Sequence, residues 1–228
     1  MHRTSSLFLA LGALTLSAIA PLYAADNTLT PEQKAEGWVA LFDGKTLDGW
    51  AVKSGFATYK AEDGAIVGTT ASNSPNSFLT SAKAFGDFEL TLEVKLDDGG
   101  LNSGLQIRSK LKGEPYGGRL YGPQVEICPG VAGYIYGEAT KYGWLSQERK
   151  PHKLFPLQQW VPFRVRAVGP KIETWISGEK VADLTLQNEL VADHAEGFFG
   201  LQVHGVGAKG PFTVRWKNLY LKPVTAAK

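Results

Sequence analysis

The sequence has 228 residues, with 24 Lys+Arg against 22 Asp+Glu and a formal net charge of +2. A near-neutral chain without a long basic stripe excludes nucleic acid as the natural partner. A single cysteine excludes an intrachain disulfide framework and a cysteine-rich zinc site, so stability rests on a hydrophobic core in which six Trp and 11% aromatics take part.

In chain order, residues 1–24 read as a secretory signal. His2 and Arg3 precede an apolar run from Leu7 to Ala20, and Leu22-Tyr23-Ala24 makes a small-residue cleavage site. The run is short for a bilayer span and no second one follows, so no stable membrane insertion is expected. Residues 25–228 are expected as one exported domain, periplasmic or secreted, of unknown oligomeric state. Thr30–Gly37 opens with an N-cap threonine and Pro31 and stops at a glycine, which predicts one short helix. Strands follow at Val39–Phe42, Trp50–Lys53, Phe56–Lys60 and Ala65–Gly68, with turns at Asp43-Gly44, Asp48-Gly49 and Asp63-Gly64. Asp87–Leu96 has the clearest period of two: Phe88, Leu90, Leu92, Val94 and Leu96 alternate with Glu89, Thr91, Glu93 and Lys95. Further strands are expected at Gly104–Ser109, Gln124–Cys128, Gly133–Tyr136, Val161–Val168, Lys171–Ser177, Lys180–Leu186, Phe198–His204 and Phe212–Leu221. Lys110–Pro123 and Gly137–Gln159 read as long loops. The whole predicts an all-β sandwich of two antiparallel sheets.

Three strands carry the chemistry. Leu105 and Ile107, Val125 and Ile127, and Leu201 and Val203 point inward by alternation. Gln106 and Arg108, Gln124 and Glu126, and Gln202 and His204 then share the other faces. Brought together, they would form a surface suited to a hydroxyl-rich small molecule, a carbohydrate. Tyr116, Tyr121, Tyr134, Tyr136, Tyr142 and Trp144 supply rings nearby for stacking on sugar faces. Lys141, Arg149, Lys150, His152 and Lys153 make the second long loop basic. There is no phosphate loop, no HExxH and no GxSxG. Ordinary glycoside hydrolysis uses two carboxylates. Only Glu126 is visible on the polar face, with Glu89 and Glu93 on another strand.

The segments Leu41-Phe42-Asp43-Gly44-Lys45-Thr46-Leu47-Asp48-Gly49-Trp50, Asn102-Ser103-Gly104-Leu105-Gln106-Ile107-Arg108, Gly122-Pro123-Gln124-Val125-Glu126-Ile127, Gly200-Leu201-Gln202-Val203-His204 and Arg215-Trp216-Lys217-Asn218-Leu219 together carry a resemblance. Over about residues 37–223 the chain resembles the 3-keto-disaccharide hydrolase domain family, also called 3-keto-glucoside-1,2-lyase/3-keto-2-hydroxyglucal hydratases. The resemblance implies a concanavalin A-like jelly roll whose concave sheet carries the site. It also implies cleavage of 3-keto-glycosides by removal of the C2 proton, β-elimination and rehydration. That chemistry needs a base, a stabiliser for the enolate oxygen and an acid, and no nucleophilic carboxylate. On this reading Glu126 is the base or a metal ligand, His204 the acid–base partner or a nitrogen ligand, and Arg108 the holder of the ketone oxygen. Gln106, Gln124, Gln202, Tyr136 and Trp144 bind the sugar. No cofactor is assigned, and a divalent cation between Glu126 and His204 would suit mixed oxygen and nitrogen donors. A non-catalytic carbohydrate-binding module and a structural envelope protein stay open as alternatives.

Overall fold

The computed structural model describes residues 25–113, 118–187 and 189–224. The expected signal segment and Tyr116 lie outside them. A capping box sets α1 (Pro31–Ala35): Thr30 accepts from the Gln33 backbone, and the Gln33 side chain accepts from the Thr30 backbone. Its strands, in order, are β1 (Val39–Ala40), β2 (Trp50–Ser54), β3 (Thr58–Glu62), β4 (Ala65–Thr69), β5 (Ser77–Ser81), β6 (Phe88–Leu96), β7 (Ser103–Lys112) and β8 (Arg119–Ile127). They continue with β9 (Ile135–Glu138), β10 (Gly143–Trp144), β11 (Val161–Val168), β12 (Lys171–Ile176), β13 (Glu179–Thr185), α2 (Glu189–Asp193), β14 (Phe198–Val203) and β15 (Thr213–Pro223).

All strand pairs are antiparallel, in two sheets. One runs β13-β12-β11-β6-β15-β4-β3, with β1 added beside β15, and the other runs β10-β9-β8-β7-β14-β5-β2. The period of two in β6 does what it predicts. Phe88, Leu90, Leu92, Val94 and Leu96 are buried between the sheets, and each intervening residue is half-buried on the outer face. Full burial of such side chains is worth about 1.5–3 kcal/mol each, which makes this central strand a main contributor to the core. Leu105, Ile107, Val125, Ile127, Leu201 and Val203 meet it from the facing sheet.

Four elements depart from the expectation, one of them β10, which pairs with β9 inside the second segment expected as a long loop. Ser77–Ser81 is a strand not among those expected; both its faces are buried, so polar residues sit inside. A second short helix, α2, follows β13. The supposed loop around 110–123 is mostly strand: β7 and β8 run on as a hairpin that bends back over the outer face of its own sheet. Near its tip the Gly118 carbonyl accepts from the Ser54 hydroxyl at 2.8 Å, on the far edge strand β2. Leu120 packs there, fully buried, within 2.4 Å of where a Cβ on Gly200 would stand. The bent arm thus covers the β14–β5 side of the face and leaves a cleft on the other side.

Candidate active site

The cleft, about 330 Å³, is lined by Asn76, Asn102, Arg119, Gln124, Glu126, Tyr136, Glu138, Trp144, Gln202 and His204. Cross-strand register assembles it. Gln124 on β8 stands opposite Tyr136 on β9, which stands opposite Trp144 on β10. One step along, Glu126 stands opposite Gly104 on β7. The missing side chain at Gly104 matters, because a Cβ there would lie 2.3 Å from the Gln124 side-chain carbonyl carbon. Gln124 can therefore lie flat and donate its amide to Glu126 Oε2 at 3.2 Å.

Glu126 is 5% exposed and its other oxygen, Oε1, accepts from the Asn102 amide. Burial pushes its carboxyl above the ordinary range. The Asn102 and Gln124 donors oppose that shift, and the nearby negative charge of Glu138 adds to it. Glu138, equally buried, is held by Asn76 Nδ2 at 3.2 Å and Arg119 Nη2 at 3.3 Å. Asn76 also accepts the Gly205 backbone N–H at 2.9 Å. The carbonyl of Gly205 lies 2.7 Å from His204 Nδ1. A carbonyl only accepts, so Nδ1 carries a proton, and Nε2 is the ring nitrogen left for the cleft. Asn102 Oδ1, Gln124 Oε1 and both amide atoms of Gln202 are buried without a partner among the described residues. Such groups are costly unless something hydrogen-bonds to them, and a polyhydroxylated ligand can.

The expected constellation is thus gathered in part. Gln124, Glu126, Gln202, His204, Tyr136 and Trp144 line one cleft. Gln106 is on the right face but lies under the bent arm, fully buried, with its amide 3.4 Å from the Leu120 carbonyl. Arg108 is a correction. The β7 register shifts between Gln106 and Lys110, and Arg108 itself has φ +47°. That bulge breaks the alternation and turns the guanidinium toward the core, over the Phe88 ring. There it binds the Gly86 carbonyl at 2.8 Å, the Gly169 carbonyl at 2.6 Å and Asp87 at 2.7 Å, and is 1% exposed. Arg119 is the guanidinium that lines the cleft instead.

The other candidates are placed apart. Glu89 and Glu93 sit on the opposite sheet, bound to Arg164 and Asn218. Among the loop rings, Tyr121 packs on His194 and Tyr134 on His152. Tyr136 and Trp144 meet edge to face at 5.3 Å, and Arg149 stacks on Trp144 at 4.5 Å. Lys141 pairs with Glu189 at 2.6 Å. Among the described residues no three His, Cys, Asp or Glu side chains gather as a metal-binding group, so the Glu126–His204 pair finds no third such ligand. Sequence reasoning missed Asn76, Asn102, Arg119 and Glu138, which flank the strands or sit on the two segments read as loops.

A family model described as the 3-keto-alpha-glucoside-1,2-lyase-like domain matches residues 37–222. Among curated proteins, none matches the sequence significantly. The fold is shared with a candidate glycosyl hydrolase from Parabacteroides distasonis, at 22% identity and TM-score 0.62, over 88% of this chain and 100% of that one. It is shared with the carbohydrate-binding module CBM66 from Bacillus subtilis, at 17% identity and TM-score 0.54, over 76% and 95% of the two chains. The exoplasmic/lumenal domain of VIP36, in a Ca2+/Man3GlcNAc-bound form, matches at 12% identity and TM-score 0.54, over 85% and 90%. At these identities the likeness is one of fold.

Proposed function

Because the chain belongs to the 3-keto-alpha-glucoside-1,2-lyase-like domain family, we propose that it cleaves 3-keto-glycosides by elimination across C1–C2 and rehydration. The observation that carries the reading is Glu126: a buried carboxylate, held by two amides, whose basicity burial raises, facing a cleft of unpartnered amide atoms. A ketone at C3 acidifies the C2 proton. Glu126 takes that proton, and the negative charge develops on the C3 oxygen. Arg119, a cation that lines the cleft and is bonded to Glu138, would meet it. The enolate then expels the glycosidic oxygen from C1. His204, protonated at Nε2, gives that oxygen its proton and becomes the neutral form with Nδ1–H retained. Water adds at C1 after losing a proton to His204, and Glu126, its proton exchanged with solvent once the leaving group has gone, delivers a proton to C2. Net hydrolysis follows with every proton accounted for, and no step needs a nucleophilic carboxylate.

Gln124, Gln202 and Asn102 would bind the sugar hydroxyls, and Tyr136 and Trp144 its ring faces. A purely binding role has support in the fold shared with CBM66. A lectin-like site, however, gains nothing from desolvating a carboxylate next to a second one, whereas a carbon-acid base does. On the reading of residues 1–24 as a signal, the reaction takes place in the periplasm or outside the cell. Incubation with a 3-keto-glucoside and with the parent glucoside tests the assignment. Release of the leaving group from the first alone supports it; equal release from both, or from neither, contradicts it.

A further inference from the structure

A second cavity, about 580 Å³, lies in the side of the sandwich where β10 edges one sheet and β13 edges the other. Trp144 belongs to both cavities. This indole is a wall of each, so it stands between the cleft and the crevice.

The two cavities differ in chemistry. The cleft holds four buried polar atoms without partners, on Asn102, Gln124 and Gln202. The crevice has a floor of Ala182, Leu186 and Leu190, all buried, and Val181 and Leu184 in its β13 wall. Its polar groups are mostly engaged or at the rim. Ser146 Oγ accepts the Ile135 N–H at 2.9 Å, the Gln147 amide donates to the Trp144 carbonyl at 3.0 Å, and Asp183 is exposed. The Tyr142 hydroxyl is turned to the Lys141–Glu189 ion pair, which lies outside the crevice. A sugar ring placed here would bury hydroxyls with almost nothing to bond them. A flat aromatic group would gain contact with Trp144, Tyr142 and the aliphatic floor, and a phenolic edge could reach the rim.

We infer that this crevice is the binding site for the leaving group, and that the preferred leaving group is aromatic, so that the substrates are 3-keto-glycosides of phenols. The inference rests on the lyase reading for the chemistry at C1, but the crevice can be tested without turnover. Leu184 lies on an edge strand, half-buried, away from every group given a chemical role. Leu184→Asp puts a charge on the crevice wall, and Val181→Asp does the same from the same strand should the first variant fold poorly.

The substrates are the 3-keto derivatives of 4-nitrophenyl glucoside, methyl glucoside and a glucose disaccharide. Wild type should favour the nitrophenyl compound, and Leu184→Asp should lower its kcat/KM about tenfold, the value of one lost apolar contact of this size. The methyl and disaccharide compounds should be unaffected. Equal losses on all three, or a loss confined to the disaccharide, overturns the inference. Calorimetric titration with unoxidised 4-nitrophenyl and methyl glucosides reads the crevice alone. Tighter binding of the aryl compound that disappears in Leu184→Asp upholds it even if no keto-sugar is cleaved, a result that would sink the lyase reading only. No difference between the two glucosides sinks the crevice.

Discussion

A carboxylate stripped of most of its water is a better base toward a carbon acid than one in bulk solvent, provided it still ionises at working pH. Glu126 meets both conditions: burial raises its pKa, and two amide donors keep the anion tenable. The base works when ionised, so activity should rise with pH through a midpoint above the value of about 4.3 for a free glutamate. Rate–pH profiles on a 3-keto-glucoside check this. Glu126→Gln should lower kcat about 10²–10⁴-fold and abolish that acid limb; a variant that keeps the limb points to another base. Arg108 makes the opposite prediction. Its three bonds tie the start of β6 to the Gly169 turn, which itself donates its N–H to Asp87 at 2.9 Å. Arg108→Met takes the guanidinium donors from Asp87 and two carbonyls and should destabilise the fold by roughly 3 kcal/mol in a denaturant titration. The kcat of the folded fraction should not change, and a fall in kcat would return Arg108 to the mechanism.

At the scale of elements, the β7–β8 hairpin decides what the cleft contains. Its bend covers Gln106, its bulge removes Arg108, and its second strand delivers Arg119. Gly104 on the same hairpin leaves room for Gln124 to reach Glu126. Gly104→Ala forces that amide aside at a packing cost of about 1–3 kcal/mol, and kcat should drop while urea unfolding still shows one cooperative transition. Unchanged kcat would mean that the Gln124–Glu126 bond is dispensable. The limits of sequence reading lie in this hairpin. Alternation located Gln124, Glu126, Gln202 and His204 because β8 and β14 keep their period through the site. It failed at Arg108 because one residue with positive φ inverts the facing of everything beyond it, and Ile107-Arg108-Ser109 contains no glycine to announce a bulge. Glu138, Arg119 and Asn76 were invisible for another reason. A carboxylate, a guanidinium and an amide spread over 62 positions become partners only once the strands are paired.

For the whole molecule, two sheets enclosing one core explain how a chain with one cysteine can stand without disulfides. The core runs from Phe42 to Leu221. The sequence also makes a prediction at this scale: the exported protein should begin near Ala25, and its intact mass should lack residues 1–24. A mass that retains Met1 would remove the case for export. None of the helices among the described residues is long and apolar enough to cross a membrane. Most of the cleft's side chains stand on paired strands, so the cleft is set by strand pairing more than by loops, as a site that must place a base against one carbon requires.

The most direct test of the central claim follows the C2 proton itself. A 3-keto-glucoside is turned over in D2O, and the recovered 3-keto-glucose is read by NMR for deuterium at C2, alongside release of the leaving group. Elimination and rehydration predict deuterium at C2 in the product of the wild-type protein, loss of both signals together in Glu126→Gln, and no reaction of the parent glucoside. Release of the leaving group with C2 still fully protonated would contradict the account, because the bond at C1 would then break without the C2 proton ever leaving.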